Sequence, residues 1–274
     1  MIIRLGHSPD SDDAFMFWGL ATGQIETPLK FEHILEDIQT LNDWAKIGKL
    51  EVSAISVHAF AYVSDKYALL RHGGSFGDGY GPMLIARENI PLDKLNSYTI
   101  AIPGLLTSAY LALSLFHPGL KTVVMDFDEI MPAVKKGTVD IGLIIHEGQL
   151  THKNEDLVTL VDLGKWWKED TGGLPLPLGV NVVRKDLGEK VITEASRALR
   201  ASIQTSLDNR QQALDYALSF ARGMDRQIAD QFVGMYVNGL TCDMGERGLT
   251  AIKTFLTRAT KAGLVPPVDI EAIE

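Results

Sequence analysis

The chain has 274 residues, of which 46% are hydrophobic, 35 acidic and 26 basic, and its formal net charge is −9. Disordered and fibrous proteins are excluded by this composition, and the acidic balance argues against binding to phosphate backbones, so we expect no nucleic-acid partner. Because Cys242 is the single cysteine, an intrachain disulfide and a thiolate metal cage are excluded as well.

The amino terminus and the apolar runs of the sequence indicate where in the cell the protein is expected. Residues 1–7 lead directly into a polar segment and lack the apolar stretch of about 7–15 residues that a signal peptide needs. No apolar run approaches the roughly 20 residues that span a bilayer. We therefore expect a cytoplasmic protein without a membrane partner. The sequence leaves the oligomeric state open.

Strands and helices alternate in the first part of the chain. Strands are predicted at 2–5, 29–35 and 52–55, with helices at 14–21, at 37–47 and directly after Ser56. Turn and N-cap chemistry in residues 8–13 precedes the first of these helices. The βαβαβα order is typical of a parallel sheet covered by helices.

A glycine-rich segment follows. Residues 71–82 hold five glycines in twelve positions, which is too many for regular structure. The segment does not match the phosphate-binding loop pattern. A floppy surface connection and a ligand-covering loop, over residues 73–81, are both compatible with it.

A second strand and helix series begins after a predicted strand at 83–86. Strands at 98–102, 122–126 and 139–145 alternate with helices at 107–116 and 129–136, and a strand at 157–163 precedes a helix around Trp166 and Trp167. Residues 172–179 then combine two prolines with three glycines. Such a segment should form neither a helix nor a central strand, so we expect a rigid crossing there.

The remainder, from Asp186 onward, is predicted to be helical and to return to the first strand and helix unit. This gives a large discontinuous α/β domain, 1–87 plus 181–274, and a small α/β domain, 88–180. Two lobes joined by crossings near residues 87 and 180 would form a hinge with a central cleft.

The candidate site residues follow predicted strands. His146 ends the buried run at 142–145, and ligands of open α/β sheets bind at the carboxyl ends of strands, so it is a candidate general base. A capped core histidine is the alternative. Ser56, Thr107 and Ser108 each open a predicted helix, where hydroxyl and backbone N–H groups bind an anion such as a carboxylate. Ordinary N-capping would explain each of these three equally well.

Metal and cofactor sites are not indicated. The polar segment 7–13 contains one histidine and three aspartates, but its spacing matches no metal-binding motif, and local capping by Asp12 or Asp13 is the simpler explanation. The chain has neither a Gly-x-Ser-x-Gly nucleophile motif nor a dinucleotide fingerprint. We expect no metal and no cofactor.

The chain resembles the 1,4-dihydroxy-6-naphthoate synthase family, from the futalosine pathway of menaquinone biosynthesis, over nearly its whole length. The matching stretches are Gly6-x-Ser8-Pro9 with Asp13 and Phe15, Leu35-Glu36-Asp37 with Thr40-Leu41-Asn42, the Ser56 loop, Thr107-Ser108-Ala109-Tyr110, Gly142 to Glu147, and Gly172 to Gly179. The resemblance implies a two-lobed, type II periplasmic-binding-protein-like α/β fold with a central cleft.

The resemblance also implies a reaction. A lyase of this family splits cyclic dehypoxanthine futalosine into 1,4-dihydroxy-6-naphthoate and dihydroxyacetone, without a redox cofactor. Its proton acceptor corresponds to His146, and its ligand-binding positions correspond to Ala54, Ile55, Ser56, Thr107 and Ser108. Two departures stand out: many members carry Pro-Cys-Pro-Asn-Asp where this chain has residues 9–13, and a lysine can occur where this chain has Ala54.

Two other functions remain compatible with the same architecture. One is a cytoplasmic solute-binding protein for a small carboxylate, in which His146 only hydrogen-bonds the ligand. The other is chorismate dehydratase, which acts in the same pathway on a carboxylated ring. The missing signal peptide argues against the first, and the His146-Glu147 strand end together with Pro175 and Pro177 favours the synthase over the second. All three functions involve a small carboxylate.

Overall fold

A computed structural model describes residues 1–220 and 225–273. Its strands are β1 (Ile2–His7), β2 (Lys30–Leu35), β3 (Val52–Ser56), β4 (Tyr67–Leu70), β5 (Ser75–Gly77), β6 (Met83–Ala86), β7 (Thr99–Ile102), β8 (Lys121–Val124), β9 (Ile141–Ile144), β10 (Val158–Asp162), β11 (Leu176–Arg184) and β12 (Ala272–Ile273). Its helices are α1 (Ser11–Met16), α2 (Trp18–Ala21), α3 (Ile38–Lys46), α4 (Val57–Phe60), α5 (Ser108–Phe116), α6 (Phe127–Lys136), α7 (Gly148–Thr151), α8 (Leu163–Asp170), α9 (Glu189–Asp208), α10 (Arg210–Leu218), α11 (Arg226–Tyr236), α12 (Gly239–Cys242) and α13 (Gly245–Lys261). Short 3₁₀ turns lie at Leu92–Ser97, His152–Glu155 and Lys185–Leu187.

The first sheet has the strand order β12-β4-β11-β3-β1-β2, and β5 pairs with the beginning of β11. β1 runs parallel to both β2 and β3, as the βαβαβ pattern predicts, whereas β11 runs antiparallel to β3 and β4. Ile3, Leu5, Val52 and Ile55 are fully buried. Helices cover both faces of such a sheet, which is why its central strands read as nearly continuous apolar runs.

The second sheet has the strand order β10-β6-β9-β7-β8. All four residues of β9 are buried, and β9 runs parallel to β7 and antiparallel to β6. The expectation of a buried parallel strand before His146 is therefore confirmed. Since β7 and β9 are parallel, the segments that follow them leave the same edge of the sheet.

The long C-terminal helices pack on the first sheet. α9 contacts α1, α2 and β11, and α13 contacts β11 and α5. Their buried stripes include Ala195, Leu199 and Ile203 on α9 and Ile252 on α13, as the helical spacing predicts. The expectation that this part of the chain is entirely helical was wrong in one respect, because β12 adds an edge strand beside β4. None of the described helices is long and apolar enough to cross a membrane.

The expectation for residues 172–179 was also wrong. β11 begins at Leu176 and occupies a central position in the first sheet. Pro177 is tolerated because the pairing of β11 with β3 begins only at Gly179, and because its pairing with β5 shifts register between Pro177 and Gly179. A proline has no N–H to donate, and a register irregularity is one of the few places where a sheet accepts one.

The chain passes between the two sheets twice. Strand pairing puts Met83–Ala86 in the second sheet and Leu176–Arg184 in the first, a few residues away from the crossings expected near 87 and 180. A strand's own sequence does not reveal which sheet it will join, which explains the offset. Residues 221–224 and 274 of the range 181–274 lie outside the described residues, and the division into two domains stays a prediction.

Candidate active site

A cavity lies between the two sheets, beside the carboxyl ends of β1, β3, β7 and β9. Its volume is about 130 Å³, and the space between two lobes is a common location of small-molecule sites. Much of its wall is apolar, including Phe232 on α11 and Leu178 on β11. The six residues singled out from the sequence all line this cavity: Ala54, Ile55, Ser56, Thr107, Ser108 and His146.

Ala54 and Ile55 contribute backbone and small apolar surface. Both lie on β3, where Ile55 pairs with Val180 and Ala54 with Asn181 of β11. Ile55 is fully buried. These two residues therefore form a rigid part of the wall and supply no titratable group.

His146 follows β9 and reaches across to the first sheet. Its Nδ1 lies 3.0 Å from Oδ2 of Asp10, and the two side chains are only 17% and 6% exposed. The Phe127 ring packs against the imidazole, with 4.0 Å between ring centroids. Within the described part of the chain, the buried Nε2 has no hydrogen-bond partner. One ring nitrogen is thus held by a carboxylate, while the other makes no hydrogen bond to the described residues.

We call Asp10, Asp12 and Asp13 the carboxylate cluster, and all three line the cavity. The Ser8 hydroxyl donates a hydrogen bond to Oδ2 of Asp10, and the Ser8 N–H donates to Oδ2 of Asp13 at 2.7 Å. Asp12 and Asp13 lie in the first turn of α1, but α1 has no side-chain capping bond, and Asp13 instead accepts the N–H of Ser8 ahead of the helix, so the expectation of local capping was wrong. Asp10 was not singled out from the sequence, although its place directly after β1 put it at the same sheet edge as the other candidates.

Burial and mutual repulsion change the acidity of these groups. Burial raises the pKa of Asp12, and the charge of Asp10 raises it further, to about 7. Burial and the charge of Asp12 also raise the pKa of Asp13 well above its usual value. For His146, burial by itself lowers the pKa, but Asp10, Glu147 and Asp12 outweigh that effect and the net pKa is raised. Protons are therefore exchangeable at this end of the cavity near neutral pH.

Ser56 is oriented by a buried asparagine. The Asn42 side chain, on α3, is fully buried; it donates from Nδ2 to the Ser56 hydroxyl oxygen at 3.0 Å and accepts the Ser56 N–H at 2.8 Å. Because the hydroxyl oxygen accepts a bond from Asn42, its own hydrogen can be donated to a ligand. Asn42 belongs to the matching stretch at Thr40 to Asn42, but nothing in the sequence indicated this contact.

The hydroxyls of Thr107 and Ser108 already have protein partners. Thr107 donates to the Gly104 carbonyl at 2.9 Å and accepts the Tyr110 N–H at 3.2 Å, which is the N-capping alternative. Ser108 donates to the Leu178 carbonyl at 2.5 Å and accepts the His58 N–H at 3.2 Å. We call Ser56, Thr107 and Ser108 the hydroxyl cluster.

The start of α5 supplies further donors beside these hydroxyls. The first backbone bond of this nine-residue helix runs from the Leu111 N–H to the Thr107 carbonyl. The N–H groups of Ser108 and Ala109 come earlier and have no partner within the helix. Both residues line the cavity. An anion such as a carboxylate is the type of ligand that such a helix start binds.

The glycine-rich segment forms part of the cavity wall. Gly73 and Ser75 line the cavity, and β5 within the segment pairs with β11. Gly73 has φ +82°, and a Cβ atom there would lie 1.8 Å from Nδ2 of Asn181. Most of residues 71–77 are buried, so the interpretation as a floppy surface connection was wrong.

Tyr236 was missed in the sequence as well. It lines the cavity from α11, and its hydroxyl donates to Oε1 of Gln149 on α7 at 2.8 Å. Outside the cavity, the Leu106 N–H donates to Oε1 of Gln39 at 3.0 Å. Each of these bonds joins an element packed on one sheet to a segment of the other. Periodicity cannot reveal such pairs, because their partners lie 87 and 67 residues apart in sequence.

Comparison with known proteins gives a consistent result. A family model for menaquinone biosynthesis matches residues 3–261. A 1,4-dihydroxy-6-naphthoate synthase from Thermus thermophilus is 42% identical over 265 residues, which cover 97% of this chain and 96% of that protein. A protein of the same name from Streptomyces coelicolor is 39% identical over 277 residues, with coverage of 99% and 97%.

Solved structures agree with the two-sheet architecture. A crystal structure of a protein from Archaeoglobus fulgidus has a TM-score of 0.93 at 44% identity and covers 96% of this chain and 98% of its own. A Candida albicans protein described as having the generic periplasmic binding protein fold has a TM-score of 0.71 at 14% identity, with coverage of 98% and 92%. The expected two-lobed, periplasmic-binding-protein-like α/β fold is thereby confirmed.

Proposed function

We propose that this chain, which belongs to the menaquinone biosynthesis family and is an enzyme, is a 1,4-dihydroxy-6-naphthoate synthase. The proposed reaction is a carbon–carbon lyase step in the futalosine pathway. Cyclic dehypoxanthine futalosine would be split into 1,4-dihydroxy-6-naphthoate and dihydroxyacetone, in the cytoplasm and without a redox cofactor. The names of two relatives at 42% and 39% identity support the naphthoate product, and the substrate is part of the proposal.

One observation carries the proposal that His146 is the general base. Its buried Nε2 lacks a hydrogen-bond partner among the described residues while the side chain lines the cavity. A buried nitrogen without a partner is costly unless a ligand satisfies it. In the proposed mechanism Nε2 accepts a proton from the substrate, which starts ring opening and retro-aldol cleavage, and aromatisation of the naphthoate drives the reaction forward.

The substrate carboxylate is proposed to bind at the hydroxyl cluster and at the start of α5. No lysine or arginine is found among the described residues that line the cavity, so neutral donors must bind the anion. The Ser56 hydroxyl and the N–H groups of Ser108 and Ala109 are suitable donors. Ala54 and Ile55 would contact the flat faces of the substrate ring.

Closure of the two lobes around the substrate is part of the proposal. Ser108 bonds to Leu178 and His58 across the cleft, and the Tyr236 to Gln149 bond joins the two sides elsewhere. A closed cleft would exclude water from the ring-opened intermediate. Gly172 and Gly173, which precede β11, are the proposed points of rotation.

To test the proposal, the pure protein is incubated with each of two compounds in separate assays. With cyclic dehypoxanthine futalosine we expect naphthoate absorbance to appear together with dihydroxyacetone, and with chorismate we expect no reaction. Elimination of enolpyruvate from chorismate would instead identify a chorismate dehydratase. Saturable binding of either compound without turnover would identify a solute-binding protein and overturn the proposal.

A further inference from the structure

We infer that Asp10 is a positioning residue, which holds the His146 ring so that its proton resides on Nδ1 and its basic Nε2 faces the cavity. The inference rests on the proposed function only in assigning His146 as the base. The contact itself is between Nδ1 of His146 and Oδ2 of Asp10. Asp10 acts through His146 and is not proposed to contact the reacting atoms.

The contact joins the two lobes. Asp10 lies between β1 and α1, beside the first sheet, whereas His146 follows β9 of the second sheet. Nδ1 and Oδ2 are 3.0 Å apart, and the Asp10 side chain is only 6% exposed. A hydrogen bond in such a water-poor setting is stronger and more directional than one at the surface.

Asp10 is itself held in place. The Ser8 hydroxyl donates to the same Oδ2 that contacts His146, and both residues are nearly buried. A carboxylate that accepts from both sides cannot rotate without losing a buried bond. On the other side of the imidazole, the Phe127 ring at 4.0 Å limits tilting.

The chemistry follows from the hydrogen-bonding capacity of the two groups. An ionised carboxylate can only accept, so the single proton of a neutral imidazole must lie on Nδ1 and the lone pair must lie on Nε2. When Nε2 takes a proton from the substrate, the ring becomes positively charged and the adjacent Asp10 carboxylate stabilises it. The proton stays on the ring, and Asp10 remains ionised.

Lobe closure therefore assembles the base. The two members of the pair belong to different lobes, so an open cleft would separate them and leave His146 free to adopt either tautomer. Reactive geometry therefore exists only in a closed arrangement of the lobes such as the one described, in which Nδ1 and Oδ2 are 3.0 Å apart. This gives Asp10 a role that a residue on the same strand as His146 could not fill.

The kinetic test compares Asp10→Asn with the wild type. Asparagine keeps the size of the side chain but can donate to Nδ1, which favours the wrong tautomer, and we expect kcat to fall by about 10²-fold with little change in KM. Asp12, Asp13 and Glu147 remain near the ring, but loss of the Asp10 charge should lower the His146 pKa. The acidic limb of the kcat profile should therefore move to lower pH.

Three further variants make the result specific. Asp10→Glu should restore part of kcat, and Ser8→Ala should lower kcat in the same direction but less, by about 3–10-fold. The surface variant Asp65→Asn, whose side chain is 71% exposed, should have no effect. Thermal unfolding establishes that each variant is folded, and Ser8→Ala serves as the test if Asp10→Asn does not fold. Wild-type kcat and an unchanged pH limb in Asp10→Asn, or in Ser8→Ala when it replaces that variant, would overturn the inference.

A readout without substrate separates this inference from the proposed function. In ¹⁵N-histidine-labelled wild-type protein we expect the His146 signals of the Nδ1–H tautomer, and a lower His146 pKa in Asp10→Asn. An Nε2–H tautomer or an unchanged pKa would overturn the role of Asp10 even if the enzyme is active. Absence of turnover with the expected tautomer would count against the proposed reaction alone.

Discussion

The carboxylate cluster and the hydroxyl cluster line one cavity but differ in charge and in hydrogen bonding. Near Asp10, Asp12 and Asp13 the groups are titratable, and burial raises the pKa of Asp12 and Asp13. At the hydroxyl cluster the groups are neutral, and Ser56 and Ser108 have partners in the surrounding protein. A substrate carboxylate would be repelled by the first cluster and attracted by the helix start in the second. Proton exchange and anion binding thus fall to different groups of residues.

The largest effect should come from His146→Asn. Asparagine keeps one hydrogen bond but removes the basic nitrogen, so we expect kcat to fall by about 10²–10⁴-fold while the fold is retained. Steady-state kinetics with cyclic dehypoxanthine futalosine, together with circular dichroism, measure both quantities. His117→Asn serves as a control because His117 does not line the cavity. Near-native turnover in His146→Asn would show that His146, beside the carboxylate cluster, is not the general base.

Asp12→Asn should change the pH dependence of stability. The pKa of Asp12 is about 7 in the folded chain against an ordinary 3.8, so between these values the folded state holds a proton that the unfolded state has released. The free energy of unfolding should therefore fall as the pH rises through this window. Asparagine carries no charge, so this variant should be more stable than wild type at pH 8 by on the order of 1–4 kcal/mol and nearly equal at pH 4.

Denaturant unfolding at the two pH values measures this difference. Asp43→Asn is a matched control, since the Asp43 side chain is 54% exposed and its removal should change the pH dependence little. Equal stability of wild type and Asp12→Asn at pH 8 would mean that the carboxylate cluster is better hydrated than its burial indicates.

The smallest effect is expected from Ser56→Ala in the hydroxyl cluster. Loss of one hydroxyl donor should weaken substrate binding by about 0.5–1.5 kcal/mol, or up to about 3 kcal/mol if the bond is made to the carboxylate. KM should rise while kcat and its pH dependence stay the same. Ser53→Ala is the matched control, because Ser53 lies on the same strand and its hydroxyl donates to the Ala54 carbonyl. A shifted pH profile in Ser56→Ala would contradict the separation of roles.

Sequence reasoning succeeded where the signal was local. The apolar run before His146 predicted a buried strand and, through the strand-end rule, the location of this histidine in the cleft. Helix starts at Thr107 and Ser108 were predicted from N-cap chemistry, and the capping bond of Thr107 is present. Each of these features depends on residues within one or two turns of the chain.

It failed where two distant segments had to meet. β11 was rejected as a central strand because of its prolines, yet the register irregularity with β5 accommodates Pro177. Asp10 was overlooked because its significance depends on a contact with His146, which is 136 residues away. Asn42 likewise matters through its bonds to Ser56 on another element.

Periodicity, turn residues and composition were enough to predict a two-lobed α/β protein with polar residues at the ends of its strands. Those properties follow from short-range sterics and from the burial of apolar faces, both of which are encoded locally. Pairing of Asp10 with His146, orientation of Ser56 by Asn42 and the raised pKa of Asp12 arose only when the two sheets came together. Their physical basis is the loss of water from a shared cavity, and burial in that cavity is a property of the whole fold.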